Sequence, residues 1–211
     1  MLSGDGNVRI GVLAAQGAFV EHVAALRKLN LDAAEVRLPR DLEEVDGLII
    51  PGGESTTISR LMLAYDLTSE IRRLIQNGLP VYGTCAGMIM MAKNVVDGDG
   101  VEPLRAMDIT VRRNAFGRQL DSFETDLPIE ALGGKPFHAV FIRAPLIESV
   151  GDGVKILSRL EDDTIVAARQ GALLVSSFHP ELTDDLRFHQ YFVDIVTAGH
   201  PEAAIAKRNN R

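Results

Sequence analysis

Apolar positions follow two alternating periods along the first half of the chain. Short continuous runs rich in Val, Ile and Leu read as buried strands: "VRIGVLA" (8–14), "AAEVRL" (33–38), "DGLIIPGG" (46–53) and "PVYGTC" (80–85). Between them, apolar residues recur at helical spacing over Phe19–Leu29, from near Ser55, over Ser69–Asn77 and over Ala86–Asn94. Gly78 and Pro80 close the third of these patterns. Strand followed by helix, repeated, implies parallel strands with helices on both faces. The expected architecture is an open, doubly wound, mostly parallel α/β sheet.

The second half is patterned differently. "ITVRR", "AVFIR", "VKILSRL", "TIVAARQ" and "ALLVSSF" are strand-like with short connections, which predicts antiparallel additions to the sheet. Leu186, Tyr191, Phe192, Ile195 and Val196 predict a closing amphipathic helix over Asp184–Thr197, followed by the basic tail "AAIAKRNNR". "DGDG" (97–100) is the clearest loop, but the remaining spacing of a calcium loop is missing and no metal site is expected. No repeat or linker interrupts the pattern. A length of 211 residues suits a single domain, with its core over about 8–197.

Composition and charge narrow the function classes. A net charge of −7 argues against nucleic acid as the main partner, because phosphate binding needs a basic face. No stretch approaches the roughly 20 apolar residues that span a bilayer, so no membrane partner is expected. The N-terminus lacks a basic stretch followed by a long apolar one, so no signal peptide is read. One cysteine excludes an internal disulfide framework and a cysteine-based zinc site, and a reducing, cytoplasmic location is expected.

That cysteine is Cys85, in "VYGTCAGMIMM" (81–91). By itself a lone cysteine in an apolar run reads as a small buried hydrophobe. Gly83 and Gly87 change the picture, because G-x-C-x-G between a buried strand and a helix is the cysteine counterpart of a nucleophile elbow. A nucleophile on so sharp a turn is strained, and side chains two residues away would crowd it. The thiol then projects at the C-terminal edge of the sheet, where open α/β folds place their sites. The helix N-terminus behind it would favour thiolate. The methionines of "MIMM" read as packing.

A nucleophile needs a base. "SSFHPEL" (176–182) places His179 and Glu181 two residues apart at a strand end, where alternate side chains share a face. One imidazole nitrogen can take the proton of Cys85 while the other donates to Glu181, which fixes tautomer and orientation. His22, His138, His189 and His200 read as structural or solvated, since no partner of the needed type stands beside them in the sequence. An acyl-transfer intermediate also needs oxyanion donors. "PGGEST" (51–56) follows a buried run, and the backbone amides of Gly53 and Ala86 are assigned to that task, with Ser55 or Thr56 capping the next helix.

With these pieces assembled, the sequence resembles the class I (triad) glutamine amidotransferases, and more narrowly the glutaminase subunits of pyridoxal 5′-phosphate synthases. The resemblance runs from about Val8 to Thr197 on "GVLAAQGAFVEH", "DGLIIPGGEST", "GTCAGMI", "RRNAFGRQ", "FIRAP", "VAARQG" and "SFHPELT". It implies Cys85 as nucleophile, His179 and Glu181 completing the triad, and L-glutamine contacts from Gly53, Glu54, Ser55, Arg113, Ile142 and Arg143. A guanidinium suits the substrate carboxylate, and Arg113 and Arg143 both remain open for it. No cofactor is implied. The implied partner is a (β/α)₈-barrel synthase subunit that uses the ammonia to build pyridoxal 5′-phosphate. The family assembles as twelve synthase subunits bearing up to twelve glutaminases, and "QGAFVEH" (16–22) is a plausible docking and activation surface. The rival readings are a glutaminase serving another pathway, a stand-alone cysteine hydrolase, and a non-catalytic binding module on the same scaffold.

Overall fold

The computed structural model describes residues 8–113 and 122–199. The "NAFGRQ" motif, His200 and the basic tail lie outside the described residues. Five parallel strands form the centre: β1 (Arg9–Leu13), β2 (Asp32–Val36), β3 (Gly47–Ile50), β4 (Val81–Thr84) and, from the end of the chain, β12 (Leu173–Ser176). They lie in the order β2-β1-β3-β4-β12. Each apolar run feeds both faces, as a parallel sheet covered by helices requires. Ile10, Val12, Ile49 and Tyr82 enter one core, and Leu13, Leu48, Ile50 and Val81 the other.

Helices α1 (Phe19–Lys28) and α5 (Arg187–Gly199) cover the first face, through Val23, Leu26, Phe188, Phe192 and Val196. Helices α2 (Ser55–Ala64), α3 (Leu67–Gln76) and α4 (Ala86–Met91) cover the second. Met88, Met90 and Met91 are fully buried packing residues.

Beyond β12 the sheet turns antiparallel, as expected. Strand β11 (Ile165–Gln170) pairs antiparallel with β12, with β10 (Lys155–Arg159) and, at one position, with β9 (Leu146–Val150). Strand β9 pairs with β6 (Met107–Arg112), whose other edge takes β5 (Ala92–Val96) in parallel. A separate hairpin joins β7 (Ser122–Leu127) to β8 (Phe137–Ile142), and Phe137 and Phe141 pack into the first core.

Three details differ from expectation. The helix after Cys85 has only six residues, because the chain turns at Ala92 into β5 rather than continuing to Asn94. Strands β5, β7 and β9 are additional. The run "ALLVSSF" is antiparallel only towards β11; on its other edge β12 pairs parallel with β4. The hairpin at Gly171 and Ala172 returns the chain into the parallel centre, and that return builds the site.

Candidate active site

Strands β4 and β12 run parallel in register, with Thr84 opposite Ser176. The segments that leave their C-terminal ends therefore emerge side by side. Cys85 follows β4 directly, and its amide donates to the Ser176 carbonyl at 2.8 Å. His179 follows β12 by three residues, and its amide donates to the Val140 carbonyl on β8. Two distant parts of the sequence thus meet because their strands are neighbours.

Cys85 has φ +48° and ψ −105°, a region that costs a non-glycine residue on the order of 1–3 kcal/mol. The flanking glycines make the turn possible. A Cβ on Gly83 would lie 2.5 Å from the Gly87 carbonyl oxygen, and one on Gly87 would collide with the Ile50 carbonyl. The strain displays the sulfur: although Cys85 is largely buried, its side chain lines an open cavity of about 280 Å³. This is near the lower end of small-molecule sites, which run from roughly 300 Å³ upward. The sulfur also lies 3.9 Å from the Ile142 carbonyl oxygen.

His179 lines the same cavity, and Cys85 is the neighbour that most favours its charged form. Its Nδ1 lies 2.7 Å from Glu181 Oε1, which leaves Nε2 for the sulfur. The two residues do not sit on a strand end as expected. Pro180 starts a 3-10 turn over Pro180–Leu182, and His179 caps it. The turn still points both side chains together. The His179 pKa is raised to about 10: burial opposes the charge, and Cys85 and Glu181 together outweigh it. Glu181 is held below the usual carboxylate range, because His22 and His179 on its two sides outweigh the effect of its burial. The helix that follows Cys85 has only six residues, too short to set up much of a helix field at the turn.

All six expected substrate-contact residues, Gly53, Glu54, Ser55, Arg113, Ile142 and Arg143, line the cavity, as does Ala86 of the expected oxyanion pair. Glu54 has a second task that replaces the cap expected from Ser55 or Thr56. It is the N-cap of α2, accepting from the amides of Thr56 (3.0 Å) and Thr57 (2.7 Å). Burial opposes its ionisation, but these donors and the Thr57 hydroxyl hold its pKa at about 2. Arg113 Nη2 stands 3.6 Å from Glu54 Oε1 and its side chain is only 17% exposed, whereas Arg143 lies exposed at φ +42° after β8. The cavity therefore offers two guanidinium groups and one fixed carboxylate, complementary to the two charges of an amino acid. Among the described residues, no group of three or more His, Cys, Asp or Glu side chains is placed to hold a metal ion.

Sequence reasoning missed three residues here. Gln16 lines the cavity, and its Oε1 accepts from the Glu54 amide at 2.7 Å. Gly52 touches the pair directly: a Cβ there would collide with His179 Cε1 and lie 3.3 Å from Cys85 Cβ. The doubled glycine of "PGG" was the available signal. The third is His22, whose Nε2 lies 3.3 Å from Glu181 Oε2. His22 and His189 are structural, as read, and the partners missing beside them in the sequence are supplied by α1 and α5, which bring both rings behind Glu181. His138, by contrast, is half-exposed and bridges Asp126 and Glu124 on the surface.

The chain matches the SNO glutamine amidotransferase family over residues 12–198. It is 57% identical over 189 residues to "Pyridoxal 5′-phosphate synthase subunit PdxT" of Parafrankia sp. (strain EAN1pec), covering 89% of this chain and 93% of that one. The identically named protein of Herpetosiphon aurantiacus is 55% identical over 188 residues, covering 88% and 99%. A solved glutamine amidotransferase crystal structure superposes with a TM-score of 0.84 at 49% identity, covering 89% of this chain and 98% of that one. The strained cysteine, its imidazole partner and this likeness along nearly the whole chain have one reading: the protein belongs to the SNO glutamine amidotransferase family.

Proposed function

We propose that this chain, as one domain over about 8–197, is the glutaminase subunit of a pyridoxal 5′-phosphate synthase. On this reading the Cys85 thiolate attacks the side-chain amide carbon of L-glutamine, and the amides of Gly53 and Ala86 stabilise the oxyanion. His179 gives its Nε2 proton to the departing nitrogen, so ammonia leaves and a γ-glutamyl thioester remains. A water molecule then loses a proton to His179 and attacks the thioester carbon. Collapse of that intermediate frees glutamate and returns the thiolate. Glu181 holds the imidazole orientation throughout.

The observation that carries this reading is the joining of Cys85 and His179 in one cavity with Arg113 and Arg143. A carboxylate-bearing substrate binds there with its far end directed at the sulfur. Relatives named as pyridoxal 5′-phosphate synthase subunits support a synthase subunit as recipient of the ammonia. The twelve-plus-twelve assembly and a cytoplasmic location belong to the same proposal. Among the described residues, no helix is long and apolar enough to cross a membrane. The docking surface is proposed around "QGAFVEH", where Val20 stands 58% exposed on α1 while Gln16 reaches the cavity.

The test is glutamate release from glutamine by wild type and Cys85→Ala, each with and without the synthase subunit. The reading requires release that rises with the partner and vanishes in the variant. Equal turnover without the partner would leave a stand-alone hydrolase.

A further inference from the structure

Behind Glu181 lies a buried chain of polar groups that the triad itself does not use. The Glu181 side chain has no exposed surface, and Oε1 is committed to His179. Oε2 faces His22 Nε2 at 3.3 Å, while that same nitrogen lies 3.1 Å from the Thr84 hydroxyl. The hydrogen bond of this nitrogen is with the Thr84 hydroxyl, and Oε2, with no hydrogen-bond partner of its own among the described residues, is left in close electrostatic contact with it. On the far side of the ring, His22 Nδ1 lies 2.9 Å from His189 Nε2. Both imidazoles are wholly buried, one on α1 and the other on α5. Thr84 immediately precedes Cys85.

We propose that His22 is a positioning residue for Glu181, turning an Nε2–H towards its second carboxylate oxygen, and that His189 fixes this tautomer by donating its own Nε2–H to His22 Nδ1. The inference rests on the glutaminase reading above and deepens it.

The proton positions follow from what each alternative would leave unmatched. With the hydrogen on Nδ1, His22 would aim its Nε2 lone pair at the oxygen of a carboxylate with no exposed surface, a repulsive arrangement in low dielectric. His189 would then accept at Nε2 and carry its hydrogen on Nδ1, which has no partner among the described residues. A buried orphan donor costs about 1–3 kcal/mol. With the hydrogens on Nε2 of both rings, the carboxylate faces an N–H, the ring-to-ring contact is satisfied, and the atoms left without a full hydrogen bond, Glu181 Oε2 and His189 Nδ1, are acceptors and not donors. Both rings stay neutral. Burial lowers the His22 pKa and His179 adds to this, outweighing Glu181 and Glu21. Burial and His22 bring His189 down to about 3.

The consequence is a directed row: sulfur, imidazole, carboxylate, imidazole, imidazole. His22 beside Oε2 and His179 on Oε1 hold the carboxylate at both oxygens, which keeps Oε1 on His179 Nδ1. Misplacement of a reacting group by about 1 Å can cost on the order of 100-fold in rate, so a second clamp on that carboxylate has a kinetic role.

Two measurements test this. Long-range nitrogen–proton NMR on the ¹⁵N-histidine-labelled chain at neutral pH reads the tautomers directly. Neutral Nε2–H forms are expected for His22 and His189, and an Nδ1–H or a charged ring at His22 overturns the proposal. Glutamate release is then compared for His22→Leu and His22→Gln, each with the synthase subunit present. The glutamine side chain can place an N–H near the position of Nε2. His22→Leu is expected to lower kcat about 10- to 100-fold with little change in KM, and His22→Gln to recover most of that loss. Equal losses that simply follow the melting temperature, or no loss in either variant, would overturn the positioning role. Should wild type release no glutamate, the glutaminase reading falls, while the NMR result still decides the tautomers.

Discussion

The amide of Cys85 donates to the carbonyl of Ser176 across 2.8 Å, and this hydrogen bond fastens the strained turn at Cys85 to the strand that delivers His179. The parallel register of β4 and β12 thereby sets the distance between sulfur and imidazole before any side chain is considered. The consequences of that arrangement can be measured.

Strain at Cys85 has a stability signature. Cys85→Gly and Cys85→Ala both lack the thiol and are both expected to abolish turnover. Only glycine takes φ +48° without a Cβ penalty. Denaturant melts should place Cys85→Gly about 1 kcal/mol above Cys85→Ala. Equal stabilities would mean that the turn relaxes in solution.

Gly52 should tolerate no side chain. Its added Cβ would meet His179 Cε1, so Gly52→Ala must displace the imidazole or the loop. Overpacking of this kind costs about 1–3 kcal/mol, and a ring displaced by an ångström costs roughly 100-fold in rate. The expected outcome is a kcat loss of at least that order with a smaller loss in melting temperature. Normal kcat in Gly52→Ala would contradict the packing of this loop on the histidine.

Arg113 and Arg143 should act on substrate binding rather than chemistry. Removing a charge-assisted contact of about 1.5–3 kcal/mol raises KM roughly 10- to 150-fold when ground and transition states lose it equally. Arg113→Ala is expected to show the larger KM effect, because its side chain is the more enclosed of the two. A kcat loss at unchanged KM would remove both from the carboxylate site.

Acid should destabilise the protein well above the carboxylate range. The folded pKa values of His22 and His189 lie below their unfolded value of 6.5, so the unfolded chain binds protons that the folded chain does not. The contribution of these two rings is therefore complete above about pH 7.5 and falls as pH drops through 6.5 and below, by up to about 1.4 kcal/mol per pH unit for each ring. His138 and His179, whose pKa values are raised, act with the opposite sign near pH 6.5, where only the unfolded chain is still taking up protons at these rings, and offset part of the slope there; below about pH 5.5 they are protonated in both states and contribute none. Urea melts from pH 7 to pH 5 measure the slope, and His189→Leu should reduce it. A flat profile would show that one or both rings are charged in the fold.

Much of this was legible in the sequence because it is local. Runs such as "GLII" and "VYGT" are apolar on both faces, a pattern only a covered parallel strand explains, and the elbow glycines flank Cys85 at fixed spacing. The missed strands lack that signal. Strand β5 is an exposed edge with Lys93 and Asn94 in it, and "SFETDL" of β7 shows one face to solvent, so its polar residues mask the period. His22 was illegible for a different reason. Its partner stands far along the chain, and only the packing of α1 against the turn at Pro180–Leu182 creates the contact. Charge-neutralising partners supplied by tertiary structure leave no mark at neighbouring positions.

The central claim is that the sulfur of Cys85 forms a covalent intermediate under the control of His179. It is tested most directly by acid-quenching the protein, with its synthase subunit, during turnover of glutamine and locating the bound glutamyl group by peptide mass spectrometry. A γ-glutamyl thioester on the Cys85 peptide, absent in His179→Ala, is the predicted result. Steady glutamate release with Cys85 unmodified, or surviving in Cys85→Ala, would contradict it.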